Sequence, residues 1–172
     1  MRFIINGRAG AGKDVIADYM VEEYGFTKIT FADGIYEIAR NTFGMTTKDR
    51  KLLQTIGQKM REIDPDVWIK HVEQKVKQLG YDSNIVISDC RQSNEYDIMV
   101  HEHNFIPIRV TADKEIRRDR IRLRDGVDPD MSLLETKGET GADNKEYKYE
   151  VLNESSKIDL YNMIDSIITS EM

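Results

Sequence analysis

The stretch RFIINGRAGAGKD, Arg2 to Asp14, limits the fold more than any other part of the chain. Phe3, Ile4 and Ile5 make an uninterrupted apolar run, as expected of a strand covered on both faces of a parallel sheet. Gly7, Gly10 and Gly12 follow at once, and the spacing of Val15, Ile16, Tyr19 and Met20 is then helical as far as Tyr24. A strand that passes through a glycine loop straight into a helix is one unit of an open sheet with helices on its faces. The loop letters GRAGAGKD almost fit the phosphate-binding pattern G-x-x-x-x-G-K-[ST]. In such a loop, glycines let backbone N–H groups turn inward around a phosphate, and the helix N-terminus adds partial positive charge. Lys13 would reach the β- and γ-phosphates. Asp14 stands where a hydroxyl is usual, and two compatible roles fit it. It can hold magnesium through a bound water, or it can steady the helix start as an N-terminal carboxylate. The plain alternative is a glycine turn with no ligand, and the Gly-Lys pair with both flanks in place weighs against it.

The alternation continues along the chain. Thr27–Phe31, Asn84–Ser88, Phe105–Thr111 and Tyr147–Leu152 read as short strands. Helices are expected from Asp33, as cap, to near Gly44, over Thr47–Ile63, and over Pro65–Leu79 with proline just inside the start. Others are expected over about Ser93–His103, Asp113–Arg124 and Lys157–Ile168. The pattern predicts an α/β fold, a three-layer α/β/α sandwich on a roughly five-stranded parallel sheet. With 172 residues, 40% hydrophobic and 33% charged, the chain is expected to be one ordinary soluble domain, 1–172. From Asp125 to Lys145 it turns polar, with Gly126, Pro129, Gly138 and Gly141; this is longer than a routine connection and reads as an active-site flap.

Composition excludes several classes. A net charge of −6 argues against nonspecific binding to a nucleic-acid backbone, which needs clustered Lys and Arg. No apolar run approaches the length of a membrane span, and the N-terminus lacks a signal-peptide pattern. The single cysteine, Cys90, cannot form an intrachain disulfide and suits a reducing cytoplasm. It reads as a small core residue rather than a nucleophile. His101 and His103 do not share a helical face, so a metal site there is not expected.

Three further stretches carry candidate chemistry. In NIVISDCRQSNE, Asp89 ends an apolar strand at the sheet edge where the phosphate loop also lies. Asp89 could hold magnesium through water while Arg91 clamps a phosphate; alternatively the two form a strand-end ion pair, or Asp89 caps the next helix. Asn94 and Glu95 read as support for this turn. In EIRRDRIRLRDG, Arg117 and Arg118 read as a solvated face, whereas Arg120 and Arg124, four apart, share a face and could grip a polyphosphate beneath the flap. Asp33, Tyr36 and Arg40 share one helical face, and Arg61 and Trp68 flank the DPD turn. A substrate with a phosphate and a ring would suit them; the blander reading makes Trp68 a core residue.

Taken in order, these elements make the chain resemble the phage-type deoxynucleoside monophosphate kinases, a branch of the P-loop nucleoside monophosphate kinases. The resemblance rests on Gly12-Lys13-Asp14, FAD at Phe31–Asp33, LLQ-x-x-G at Leu52–Gly57, R-x-I-D-P-D-x-W at Arg61–Trp68, and D-x-R-x-x-N-E at Asp89–Glu95. DRIRLRDG (Asp119–Gly126) is similar to a lid-entering helix, and VLNESSKIDL (Val151–Leu160) to the final strand and turn beside the donor base. It implies ATP and magnesium as cofactors, with Gly7, Arg8, Ala9, Gly10, Ala11, Gly12, Lys13 and Asp14 holding the donor phosphates. It also implies Arg120 near the base, Lys13, Arg91 and Arg124 as catalytic residues, and Asp14 and Asp89 at the metal. The acceptor deoxynucleotide would meet Asp33, Arg40, Arg61, Trp68 and Arg91 in a helical region about 33–80, beneath a lid about 117–145. One departure is FADGIY for the family's FADPLK, which puts Tyr36 where a lysine is usual. The expected reaction is ATP-dependent phosphorylation of a deoxynucleoside monophosphate in the cytoplasm, the host's if the gene is phage-borne. The partners would be small-molecule nucleotides, with no nucleic acid and no membrane; whether the chain pairs as a homodimer stays open. The alternatives are a kinase of another phosphorylated metabolite, of the phosphomevalonate or dephospho-coenzyme A type, and a non-catalytic nucleotide-binding regulator.

Overall fold

In the computed structural model, which describes all residues except 81, 133 and 135–140, five parallel strands carry helices on both faces. In chain order they are β1 (Arg2–Asn6), α1 (Lys13–Tyr24), β2 (Thr27–Ile29), α2 (Ala32–Asn41), α3 (Arg50–Ile63), α4 (Val67–Leu79), β3 (Ile85–Cys90) and α5 (Ser93–Asp97). A π-helical turn (Ile98–Glu102), β4 (Ile106–Thr111), α6 (Lys114–Asp125), β5 (Tyr149–Leu152) and α7 (Lys157–Glu171) complete the chain. The strand order is β2-β3-β1-β4-β5, with β1 at the centre. The α/β sandwich expected from the sequence is the one observed.

Because side chains alternate across a strand, each apolar strand feeds two cores. Phe3, Ile5, Val86, Ile108 and Val110 pack with Ile16, Met20, Leu160, Ile164 and Ile168 from α1 and α7. Ile4, Ile85 and Ile87 face the opposite way, onto Ala39, Ile56, Ile69, Val72 and Met99. Burying each large side chain contributes about 1.5–3 kcal/mol, so the central strands are pinned in register from both sides. The register sets Asn6 level with Cys90 and with Arg109, which brings the carboxyl ends of β3, β1 and β4 to one edge.

Several boundaries move for tertiary reasons. The second strand stops at Ile29 rather than Phe31, because Asp33 takes the Thr30 amide and hydroxyl while Asp89 takes the Phe31 amide, turning the chain early. Asp33 is thus inside the first turn of α2 rather than its cap. Asp49 caps α3 through the Leu52 amide, so that helix begins at Arg50 and not at Thr47. Pro65 lies outside α4, which starts at Val67. The third strand runs on to Cys90, putting Asp89 within the strand; Asn6 Nδ2 donates to the Cys90 carbonyl at 3.0 Å.

Trp68 takes the core role of the two readings and does not present its ring to a substrate. It is 3% exposed, its indole N–H donates to the Gly57 carbonyl at 3.2 Å, and it fills the junction of α2, α3 and α4. A Cβ at Gly34 would lie 3.0 Å from its ring. Trp68→Phe is expected to lower stability by about 1–3 kcal/mol in urea unfolding, through lost ring volume and the lost indole bond. A loss below about 0.5 kcal/mol, the usual range of surface substitutions, would contradict the core role.

Candidate active site

The loop between β1 and α1 has a shape only glycine permits at key points. Gly10 and Gly12 have φ of 80° and 104°, and a Cβ at Gly10 would meet the Arg117 carbonyl oxygen at 2.6 Å. A Cβ at Gly7 would meet the Val110 carbonyl oxygen at 2.4 Å. The outer side of the loop is held by side chains from late in the sequence. Arg117 Nη1 donates to the Ala9 carbonyl at 3.4 Å, Arg120 Nη1 to the Gly10 carbonyl at 3.4 Å, and Asn153 Nδ2 to the Ala11 carbonyl at 2.8 Å. Arg120 Nη2 also donates to the Asn153 carbonyl at 3.0 Å. In a trans peptide the next N–H points the opposite way, so the Gly10 and Gly12 amides turn to the other side, as a phosphate cradle requires. Lys13 Nζ donates to the Gly7 carbonyl at 2.5 Å and to the Arg8 carbonyl at 3.2 Å, folding back over the loop. Arg8 meets Asp143 at 2.5 Å.

Arg117 corrects the sequence reading. It is 6% exposed and buried against the loop rather than solvated. The signal was its spacing, three residues before Arg120 on one face of α6. Arg118 is on the outer side, in a bidentate pair with Asp128. Arg124 pairs with Asp125 at 2.8 and 3.0 Å, and Asp125 also takes Arg50 of α3 at 3.0 Å. The two guanidiniums, Arg124 first, hold the Asp125 carboxyl well below the usual range. The part of the expected flap at 133 and 135–140, Gly138 included, lies outside the described residues. Its return is anchored, since the Ala142 amide donates to the Arg91 carbonyl at 2.9 Å and Lys145 pairs with Asp97 at 2.7 Å.

Beside the end of β3, a cavity of about 580 Å³ opens between α2 and α3. Lys48, Arg50, Arg61 and Arg91 bring positive charge to its wall, and Tyr36, Gln54 and Gln58 bring a ring and two amides. The face of α3 carrying Arg50, Gln54, Gly57 and Arg61 has a helical spacing visible in the sequence, where Gln54 and Gly57 are letters of the Leu52–Gly57 motif and Arg50 carries no motif signal. Two carboxylates order the wall. Glu95, 3% exposed, accepts from the Arg91 and Gln92 amides at 2.9 and 3.0 Å and faces Arg61 Nη2 at 3.6 Å. Burial pushes its carboxyl up; the two amides and then Arg61 and Arg91 pull the other way. Asp89 accepts from the Phe31 and Ala32 amides at 2.9 and 3.0 Å, so it caps α2, a helix earlier in the chain rather than the next one. Burial, then the charge of Glu95, pushes the Asp89 carboxyl up to about 6.

The other expected acceptor residues lie to one side. Asp33 and Arg40 border a smaller cavity of about 410 Å³ with Glu37 and Lys75, and Tyr36 borders both cavities. Arg40 stacks over the Tyr36 ring at 5.2 Å. Burial raises the Asp33 carboxyl, but hydrogen bonds from Thr30 and the Lys75 charge outweigh it and hold it below the usual range.

Asp14 Oδ1 receives Lys28 Nζ at 2.9 Å and Ser88 Oγ at 3.0 Å. Burial alone would raise this carboxyl; Lys28, then Ser88 and Lys13, bring it below the usual value. Among the described residues no cluster of three or more His, Cys, Asp or Glu could form a metal cage. Magnesium needs none, because one or two carboxylates, waters and substrate phosphates are its common ligands. Asp14 beside the phosphate loop, with Asp89 at the neighbouring strand end, fits that donor set. Cys90 is fully buried, which pushes its thiol well above the usual range. His103 and His101 sit beside the carboxylates of Glu73 and Asp97. No helix among the described residues is long and apolar enough to cross a membrane.

A parallel sheet centred on β1 and a glycine loop leading into α1 together give a P-loop α/β fold, the fold shared by the solved structures this chain resembles. The chain belongs to the AAA domain family, whose profile matches residues 4–148. Solved structures similar over nearly the whole chain include a gluconokinase from Sinorhizobium meliloti 1021, 13% identical with a TM-score of 0.58, covering 99% of this chain and 97% of that one. Another is TT1252 from Thermus thermophilus, 15% identical with a TM-score of 0.64, covering 99% and 98%. A third is a sugar kinase from Janibacter sp. HTCC2649, 16% identical with a TM-score of 0.58, covering 98% and 94%. These likenesses carry the fold. An uncharacterized protein, ORF76 of Ictalurid herpesvirus 1 (strain Auburn), is 31% identical over 94 residues, 52% of this chain; the match spans 39% of that relative's length.

The raised Asp89 carboxyl gives a signed expectation for metal-free protein. Its folded value is about 6 against an ordinary 3.8, so the folded state keeps the proton longer than the unfolded chain. The stability this contributes is present at acid pH and is lost as pH rises through about 6. From about pH 5 to about pH 7.5 that loss is about 1–1.5 kcal/mol, and Asp89→Asn should remove it from the urea-unfolding profile. Profiles of the same shape in both proteins would count against a raised carboxyl.

Proposed function

We propose that this protein transfers the γ-phosphoryl group of ATP to the phosphate of a deoxynucleoside 5′-monophosphate, giving the diphosphate and ADP. The observation that carries this reading is the wall of the larger cavity, where Lys48, Arg50, Arg61 and Arg91 gather beside the strand ends that bear the glycine loop. Such a charge density suits a dianionic acceptor. Tyr36 with Arg40 stacked on it, and the amides of Gln54 and Gln58, suit a ring with hydrogen-bonding edges better than they suit a sugar acid. This is the acceptor expected of the phage-type deoxynucleoside monophosphate kinases.

In this reading the loop from Gly7 to Asp14 cradles the donor phosphates, including Arg8, Ala9, Gly10, Ala11 and Gly12. Lys13 swings from the Gly7 and Arg8 carbonyls onto the transferring group. Arg120, fixed on Gly10 and Asn153, holds the loop and borders the donor base. An acceptor phosphate oxygen forms the new bond to the γ-phosphorus, while the bond to the β,γ-bridging oxygen breaks and its electron pair leaves with ADP. The acceptor phosphate is already ionised at neutral pH, its second pKa being about 6, so no side chain need remove a proton. Arg91 and Arg61 orient the acceptor, and Arg124 neutralises charge on the transferring oxygens. Asp14, and Asp89 through water, are the residues that would hold magnesium, which supplies charge neutralisation at the donor phosphates when bound. The segment about 117–145 acts as a lid that excludes water and suppresses ATP hydrolysis.

A panel of ribo- and deoxyribonucleoside monophosphates, gluconate and phosphomevalonate, each with ATP and magnesium, tests the reading. Turnover of at least one deoxynucleotide is expected. Arg91→Ala and Arg61→Ala should each raise the acceptor KM by about 10–100-fold and leave the ATP KM within about threefold, because they remove charge-assisted contacts on one substrate. Lys13→Ala should lower kcat by about 100–1,000-fold. Turnover of gluconate or phosphomevalonate with no nucleotide accepted would overturn the acceptor assignment. ATP binding without any product would favour a regulator.

A further inference from the structure

The least expected contact at the loop is the one made by Asp14. A carboxylate in the first turn of α1 brings a full negative charge to the place where donor phosphates would sit. Phosphate loops that carry a hydroxyl there avoid that repulsion. Here the charge is met from outside the loop. Lys28 on β2 places Nζ 2.9 Å from Asp14 Oδ1 and 2.9 Å from Oδ1 of Asp18, one turn further along α1. Ser88 on β3, 1% exposed, donates to the same Asp14 oxygen at 3.0 Å. Strand pairing makes this arrangement stiff, since Ile29 lies level with Ile87 and so the residues bearing the two donors sit on adjacent strands. The Lys28 side chain is also less exposed than that of Asp14, 25% against 70%, so the pair leaves much of the carboxylate open to solvent.

We propose that Lys28 is a positioning residue of the phosphate loop: with Ser88 it holds and neutralises Asp14, so that a loop ending in Gly-Lys-Asp can accept an anionic donor even before a metal ion is present. The proposal rests on the reading that the loop binds ATP, and it adds a residue that lies outside the loop motif. The rival account makes Lys28 a tether between β2 and α1, a role its pair with Asp18 alone could fill.

ATP affinity measured by calorimetry, in EDTA and again in saturating magnesium, separates these accounts. In EDTA, Lys28→Met should weaken ATP binding about tenfold, the scale of one unscreened like charge near a polyphosphate. In magnesium the loss should shrink to about threefold, because the cation supplies the missing positive charge. On an Asp14→Ser background the same change should cost less than about twofold, which a tether would not predict. Lys28→Arg should keep wild-type affinity, and so should Asp18→Asn, which breaks the tether and spares the pair. Asp14→Ser alone, a second route should Lys28→Met not fold, should tighten binding in EDTA. Wild-type affinity in Lys28→Met, an equal loss on both backgrounds, a loss in Asp18→Asn, or weaker metal-free binding in Asp14→Ser would each overturn the proposal. Failure of the wild-type protein to bind ATP would instead overturn the donor-loop reading beneath it.

Discussion

The grip on the outer carbonyls of the glycine loop is the interaction on which the rest of this molecule turns. Arg117 and Arg120 from α6 and Asn153 from the end of β5 take the carbonyls of Ala9, Gly10 and Ala11. Glycine makes that loop shape possible but does not enforce it, because a glycine-rich segment has more conformations to lose than any other. The enforcement comes from residues more than a hundred positions away, which can reach the loop only after β4 has paired with β1 and β5 with β4. Once the carbonyls are fixed outward, the start of α1 is fixed too, and with it the positions of Lys13 and Asp14. The cradle is therefore a product of the whole sheet.

Charge at the site follows from that geometry. Two unit charges about 4 Å apart interact by about 1 kcal/mol in water and about 4 kcal/mol at an effective dielectric of about 20. The Asp14 carboxylate is 70% exposed and so lies toward the solvated end, at about tenfold in a binding constant. Asp14 placed without compensation could thus undo part of what a phosphate loop gains. Lys28 at 2.9 Å is close enough to cancel the charge, and Ser88 fixes which oxygen it meets. This also explains how Asp14 can combine the two roles read from the sequence. Its negative charge still favours the helix N-terminus, and Oδ2, which neither Lys28 nor Ser88 meets, is the oxygen a hydrated cation would use.

The parts legible in the sequence were those fixed by local chemistry. The run Phe3–Ile5, the glycines and the helical spacing after Asp14 specify a strand, a loop and a helix from adjacent residues, and all three are found where expected. What the sequence hid is what distant residues decide. Asp89 caps a helix that precedes it by more than fifty positions, a pairing that no local pattern announces. Arg117 sat in a run of charges, where the default is solvent, and only the docking of α6 against the loop buries it. The ring of Trp68 could have faced a substrate; the depth of the α2–α3–α4 junction and the Gly57 carbonyl settle it into the core. Two motifs seen separately, Arg61–Trp68 and Asp89–Glu95, prove to be one unit, since Asn94 bonds Asp66 at 2.7 Å and Glu95 faces Arg61 at 3.6 Å.

That union bears on how an acidic protein can present a site for anions. With a net charge of −6 the distant field repels phosphate, but it is screened over about 8 Å at physiological salt. Inside that distance the local wall decides, and in the larger cavity it is basic. The carboxylates within it do more than dilute the charge. A free arginine side chain carries about 2 kcal/mol of rotamer entropy that binding must remove. Glu95 and the Gly57 carbonyl engage only part of the Arg61 guanidinium, at 3.6 and 3.3 Å, so much of that entropy is already lost while other donors stay available. Asp125 likewise bonds Arg50 and Arg124 together, joining α3 to the end of α6. In the proposed reading, arginines restrained in this way gain more from an incoming dianion than flexible ones would, and Glu95 and Asp125 serve that reading by holding them.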